Sequence, residues 1–268
     1  MPNSIKMYAE FETKTSYKYL KDVIFALEEP VCILGGWAVF LHVNKNFQKA
    51  QGRPYLGSRD IDLGFHLDKD ATIENMKNSP LAKSLNVLEH NLKFRPISFR
   101  LLKEVHTETQ EEIEDGKIIP AHFVFPMYVD LLVDNIPKKF KDVFNFNPAD
   151  EPLLKFAFED QNYREELKEF NRRLLLPKPE LLLATKLNAL KFRDKEHKKI
   201  KDICDIFALL WYSKEKPQEL PKKVISIIPL KDVQKTISNI DDGDYQKASI
   251  QLNHTLDEVK RVIELLKE

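Results

Sequence analysis

Apolar positions along the first third of the chain change period twice. Tyr19, Leu20, Val23, Ile24 and Leu27 recur at helical spacing and predict a helix over 17–27. Pro30 stops it, and the unbroken apolar run Val31–Leu34 predicts a short buried strand. Gly35-Gly36 then turns the chain into a helix expected over Trp37–Val43, and the polar run Asn44–Leu56, with Gly52 and Pro54, reads as a loop. Period two returns at Arg59–Leu67, where Ile61, Leu63 and Phe65 are apolar and Asp60 and Asp62 lie between them. A mostly helical stretch, 71–87, is interrupted at Ser79-Pro80. Phe94, Ile97, Phe99 and Leu101 predict a strand within 91–105. The Glu114-Asp115-Gly116-Lys117 segment reads as a turn leading into a strand over His122–Val133.

Beyond Val133 the texture changes. Residues 135–152 hold three prolines and no clear period, and a domain boundary is expected there. Leu153–Phe158 suits a strand or a short helix. Pro177-Lys178-Pro179-Glu180 opens a helix, since proline is tolerated in the first turn. Ile203, Ile206, Phe207 and Leu210 mark a second helix, 224–228 and 233–240 two shorter ones, and Leu252–Leu266 a final amphipathic one.

The period-two segment carries the chemistry. Residues i and i+2 of a strand share a face, so Asp60 and Asp62 lie side by side while Ile61 and Leu63 point into a core. Two adjacent carboxylates repel unless a cation joins them, and hard oxygen donors on an open face suit Mg²⁺. The upstream Gly35-Gly36 can bring bare backbone N–H groups close to a polyphosphate, at the N-terminus of a helix whose dipole favours anions. The bland alternative is a surface strand with two solvated aspartates, and aspartate is depleted in strands.

Gly35-Gly36-Trp37-Ala38-Val39 followed by Ser58-Arg59-Asp60-Ile61-Asp62-Leu63 resembles the nucleotidyltransferase superfamily of polymerase-beta type. The nearest branches are the antibiotic nucleotidyltransferases and the toxins of abortive-infection and type IV toxin–antitoxin systems. The resemblance implies an α+β fold: an N-terminal polymerase-beta-like domain, a mixed sheet flanked by helices, over residues 1–145, then a mainly helical domain over 146–268. It also implies a third carboxylate from a neighbouring strand. Asp130, between Val129 and Leu131, is the expected one, and Asp134 the reserve. In the plainest members a Gly-Ser pair stands where Gly36-Trp37 stands here. Ser58, just ahead of the Asp-x-Asp, is not a matched position but is near enough to help, as is Arg59.

A second constellation lies at 181–212. From Lys186 to Lys201 there are seven Lys or Arg against Asp194 and Glu196, the local basic patch of a chain in which 42 basic and 42 acidic residues cancel. Lys186, Ala189 and Leu190, then Lys201, Asp202, Asp205 and Ile206, resemble the helical domain of the toxin branch. There the lysine is expected to meet nucleotide phosphates and an aspartate to complete the site. Read from the residues alone, Lys186 or Arg193 would form a helix–helix salt bridge with Asp202 or Asp205.

The resemblance thus implies Mg²⁺-dependent transfer of a nucleoside monophosphate from a nucleoside triphosphate such as ATP to an acceptor hydroxyl. Asp60 and Asp62 would bind metal in a cleft between the two domains, and Asp130 would be a further metal ligand or would orient and deprotonate the acceptor hydroxyl. Gly35 and Gly36 would receive the β and γ phosphates, and Lys186 would neutralise departing pyrophosphate. A toxin-like enzyme with an RNA or protein acceptor, tRNA ends included, and an antitoxin partner is the expectation. A small-molecule nucleotidyltransferase and a nucleotide-binding protein without turnover are the rivals. Zero net charge supplies no global field for nucleic acid or membrane. Two cysteines in apolar settings, Cys32 and Cys204, no apolar core in Met1–Glu12 and no membrane-length apolar run lead to a cytoplasmic expectation.

Overall fold

A computed structural model describes residues 7–114, 116–167 and 172–268. Asp115 of the expected turn lies outside the described residues, as do Met1–Lys6 of the N-terminal segment. The protein is α+β, with a mixed sheet, flanking helices and a mainly helical C-terminal part.

The first elements are α1 (Glu10–Ala26), β1 (Val31–Ile33), α2 (Gly35–Gln51), β2 (Ile61–Phe65), α3 (Ile73–Lys77) and α4 (Pro80–Asn86). α1 buries Tyr19, Leu20, Val23 and Ile24, the stripe read from the sequence. The break between α3 and α4 is chemical: the Ser79 hydroxyl accepts from the Ala82 N–H and Pro80 occupies the first turn. α2 corrects the expectation of a loop after Val43. It continues to Gln51 because Val43 and Phe47, four residues apart, stay buried while the residues around them face water.

The single strand expected over 91–105 is instead a hairpin of β3 (Arg95–Ile97) and β4 (Arg100–His106), because the chain reverses at Ser98-Phe99, with Ser98 at φ 57°. β5 (Val124–Val133) follows, then β6 (Ala149–Asp150), α5 (Leu154–Glu159), β7 (Arg164–Leu167) and β8 (Leu174–Pro177). The strand order is β3-β4-β5-β2-β1-β8-β7, with β6 on β5. β4 runs antiparallel to β5, whereas β5 pairs β2 and β8 pairs β1 in parallel. Ile61, Leu63 and Phe65 of β2 and Val129, Leu131 and Val133 of β5 are all 0% exposed and form one core face. At about 25 cal/mol per Å² of apolar area, each such side chain contributes about 1.5–3 kcal/mol.

The remaining helices are α6 (Pro179–Leu190), α7 (Glu196–Tyr212), α8 (Leu220–Ile225), α9 (Leu230–Ser238), α10 (Asp242–Leu252) and α11 (Leu256–Glu264). The helix expected over 252–266 starts later, as α11 at Leu256, because Leu252 ends α10 and Asn253 adopts a left-handed conformation at φ 58°. Thr255 then opens α11 with a capping box to Glu258. α7 packs against α6, α10 and α11, and every residue from Ile200 to Leu210 is buried.

The chain divides into two compact units, 8–37 with 58–177, and 1–7 with 38–57 and 178–268. β6 pairs β5 and β8 hydrogen-bonds β1 in register, so the sheet takes in 149–150, 164–167 and 174–177. Both cysteines are free and buried, and burial pushes both thiols up. Among the described residues no helix is long and apolar enough to cross a membrane.

Candidate active site

Strand register assembles the carboxylates. β2 and β5 are parallel and Asp62 pairs directly with Asp130; β4 is antiparallel to β5 and Arg100 pairs directly with Asp130. Directly opposed residues project to the same face. Arg100, Asp130 and Asp62 therefore form one row across three strands, on the face opposite the apolar core. Asp60 lies one residue before β2, at the rim of that row.

Gly35, the first residue of α2, has φ +59°, and a Cβ built there would fall 1.9 Å from Asp62 Oδ2. The Asp62 carboxylate thus fills the space that a side chain at 35 would take. The expected reason for this glycine was access for phosphate; the structure adds a carboxylate packed against its Cα. Leu34 N–H donates to the Asp62 carbonyl at 2.9 Å, which fixes the turn to the strand. Gly36 and Ser58 are buried. Trp37, at the position where a serine was missed, sends its indole N–H to Ser16 Oγ at 3.0 Å inside the core. Arg59 pairs with Glu12 at 3.2 Å and lies over the Phe125 ring.

Arg100 was not singled out in the sequence. Its Nη2 donates to Asp130 Oδ2 at 2.7 Å and lies 3.6 Å from Asp60 Oδ2. The guanidinium also rests on the rings of Phe99 and Tyr128, 5.0 and 4.3 Å from their centroids. Burial, then the charges of Asp62 and Asp60, push Asp130 up to about 7 against the opposing pull of Arg100. Asp130 Oδ1 is buried without a hydrogen-bond partner. Three carboxylates with one buried, unsatisfied oxygen form a donor set that suits a hard divalent cation. As arranged here, no group of three His, Cys, Asp or Glu side chains among the described residues is closed around an ion site. The cation now among these carboxylates is Arg100.

Asp134, the residue just past the end of β5, lies four residues on from Asp130, about 13 Å at the usual strand rise. It is occupied there: its Oδ1 accepts the Leu67 N–H at 2.9 Å and its Oδ2 meets His66 Nδ1. Burial alone would lower the His66 pKa, but the hydrogen bond and charge of Asp134, with Asp68, raise it above 6.5. A histidine raised on folding adds stability that is complete below its unfolded value and lost as pH climbs through the folded one. The melting temperature of the wild type minus that of His66→Gln is therefore expected to be largest below about pH 6 and to shrink toward pH 8. A pH-independent difference would remove the ion pair from the account.

In the other unit, Lys186 on α6 lies between Asp202 and Asp205 of α7, at 2.8 and 2.7 Å. Arg193 also binds Asp202, and Lys201 and the Tyr55 hydroxyl bind Asp205. Burial penalises the Lys186 ammonium, yet the two carboxylates outweigh it and raise its pKa. The helix–helix ion pair read from the residues is therefore present. A phosphate at Lys186 would have to compete with both carboxylates.

No protein-family model matches the chain, and no curated protein matches it by sequence. Among solved structures it is similar to the crystal structure of an antigenic nucleotidyltransferase-like protein from Paracoccidioides brasiliensis, at 17% identity over 85% of this chain and 91% of that one, with a TM-score of 0.37.

Proposed function

We propose that the protein is a nucleotidyltransferase that moves a nucleoside monophosphate from a nucleoside triphosphate to an acceptor hydroxyl, with Mg²⁺ held by Asp60, Asp62 and Asp130. The observation that carries this reading is the register of Asp62 opposite Asp130 with Gly35 closed against Asp62. A bound divalent cation would supply electrostatic stabilisation of the in-line displacement at phosphorus. The protein's own part is to orient. Gly35 and Gly36 offer backbone N–H groups at the start of α2 to the β and γ phosphates. Asp130 either completes the metal's donor set or orients the acceptor hydroxyl and takes its proton. The Lys186–Leu190 and Lys201–Ile206 elements, which resemble those of the toxin branch, favour an RNA or protein acceptor over a small molecule.

The test is incubation with Mg²⁺ and each α-³²P-labelled nucleoside triphosphate, offering total tRNA, a cell lysate and amino-hydroxyl antibiotics. Label is expected on RNA or protein with wild type and on nothing with Asp60→Asn/Asp62→Asn. Label on the antibiotics alone would move the protein to the small-molecule class. Nucleotide binding without label on any acceptor would refute transfer.

A further inference from the structure

Three carboxylates on one sheet face need a counter-charge even when no metal is bound, because like charges at this range raise one another's pKa and strain the fold. The chain carries one for itself. Arg100 faces Asp130 across the β4–β5 ladder, reaches Asp60, and is one-sixth exposed at 17% of its side-chain surface. Phe99, in the turn before β4, and Tyr128, on β5, give it an aromatic seat. Arg100 holds Oδ2 of the same Asp130 carboxylate whose other oxygen, Oδ1, is left without a hydrogen-bond partner for a cation.

We propose that Arg100 is the resident counter-ion of this site, competing directly with a divalent cation for Asp130 and Asp60, so that metal binding requires the guanidinium to give way. This rests on the metal-dependent reading above. It makes Arg100 a positioning residue: it holds the carboxylates together in the cation-free protein and sets how weakly they bind metal. A guanidinium 2.7 Å from one oxygen of Asp130 repels a second cation at the other oxygen and draws on the same carboxylate charge, so a metal ion binds there only at a cost in affinity. Removing the competitor should return that cost.

The experiment measures Mn²⁺ binding to the full chain without nucleotide, from the spectrum of free Mn²⁺, for wild type, Arg100→Gln, Arg100→Lys and Asp60→Asn. Arg100→Gln is expected to bind Mn²⁺ more tightly than wild type by roughly 5- to 150-fold, the usual range of a coupling between two ligands. Its Mn²⁺-induced rise in melting temperature should grow in parallel. Arg100→Lys keeps the charge but loses the planar fork, and should shift the same way by less. It carries the test if the glutamine variant does not fold. Equal or weaker Mn²⁺ binding by both variants, with binding abolished in Asp60→Asn, overturns the role of Arg100. Mn²⁺ binding that survives Asp60→Asn and Asp62→Asn unchanged would instead overturn the metal site, a separate failure.

Discussion

Gly35→Ala is expected to reduce nucleotidyl transfer by two orders of magnitude or more and to lower stability at the same time. The backbone there is left-handed, which costs an L-residue roughly 1–2 kcal/mol before any contact is considered. The added methyl would also lie 1.9 Å from Asp62 Oδ2, a distance no packing tolerates. Either α2 retreats or the Asp62 carboxylate swings out of the row it shares with Asp130. Displacing a catalytic group by about 1 Å is enough for a roughly 10²-fold loss of rate. Gly52→Ala separates the two effects. Gly52 has φ +68° with nothing within 4 Å of the added carbon, so it should lose stability and keep transfer. The measurements are initial rates of label transfer and urea midpoints. A Gly35→Ala protein with wild-type rate and midpoint would mean that Asp62 does not need its place against α2.

Asp202→Ala carries the largest expected loss of stability, about 3–5 kcal/mol. Its carboxylate is 2% exposed and holds Lys186 and Arg193. Truncation leaves a buried ammonium with half its compensation, in a fold whose whole stability is of order 5–15 kcal/mol. The acid side follows from the same pair. Burial raises the Asp202 pKa, but Lys186 and then Arg193 overcome this and hold it below the ordinary carboxylate range. Its stabilisation is therefore complete above about pH 4 and is lost as pH falls through the depressed folded value. Urea titrations at pH 7 and pH 3 check both statements. The gap between wild type and Asp202→Ala should be wide at pH 7 and narrow on acidification. A gap under about 1 kcal/mol at pH 7 would mark the cluster as solvated.

Much of this was legible in the chain, for reasons that differ by element. α1, β1, β2 and β5 present strong periods, and Ser79-Pro80 announces a helix start. α2 was read too short because past Val43 only Phe47 keeps its inward stripe among polar residues. β8 is Leu174-Leu175-Leu176-Pro177, buried throughout, and such a run does not distinguish strand from helix. β7, Arg164-Glu165-Glu166-Leu167, is a charged edge strand and carries almost no apolar signal. In the site, the spacing of Asp60 and Asp62 was enough to find them, and Asp130 came from resemblance. Arg100 was missed because Ser98-Phe99 lacks the Gly or Asn that marks a two-residue hairpin turn, so 91–105 reads as one strand, and because the long connection 107–123 leaves the β4–β5 register that aims Arg100 at Asp130 unmarked in the sequence.

That register has a consequence for how this chain can vary in length. Asp62, Asp130 and Arg100 are neighbours only because three strands count residues in step. Adding or deleting one residue at 127–129 would turn Asp130 into the apolar layer and put a leucine or valine in its place, a frameshift in space that no side-chain substitution could repair. The connection between β4 and β5, residues 107–123, bears no such arithmetic. Natural length variants of this protein should gather in that connection and spare the strands on either side of it.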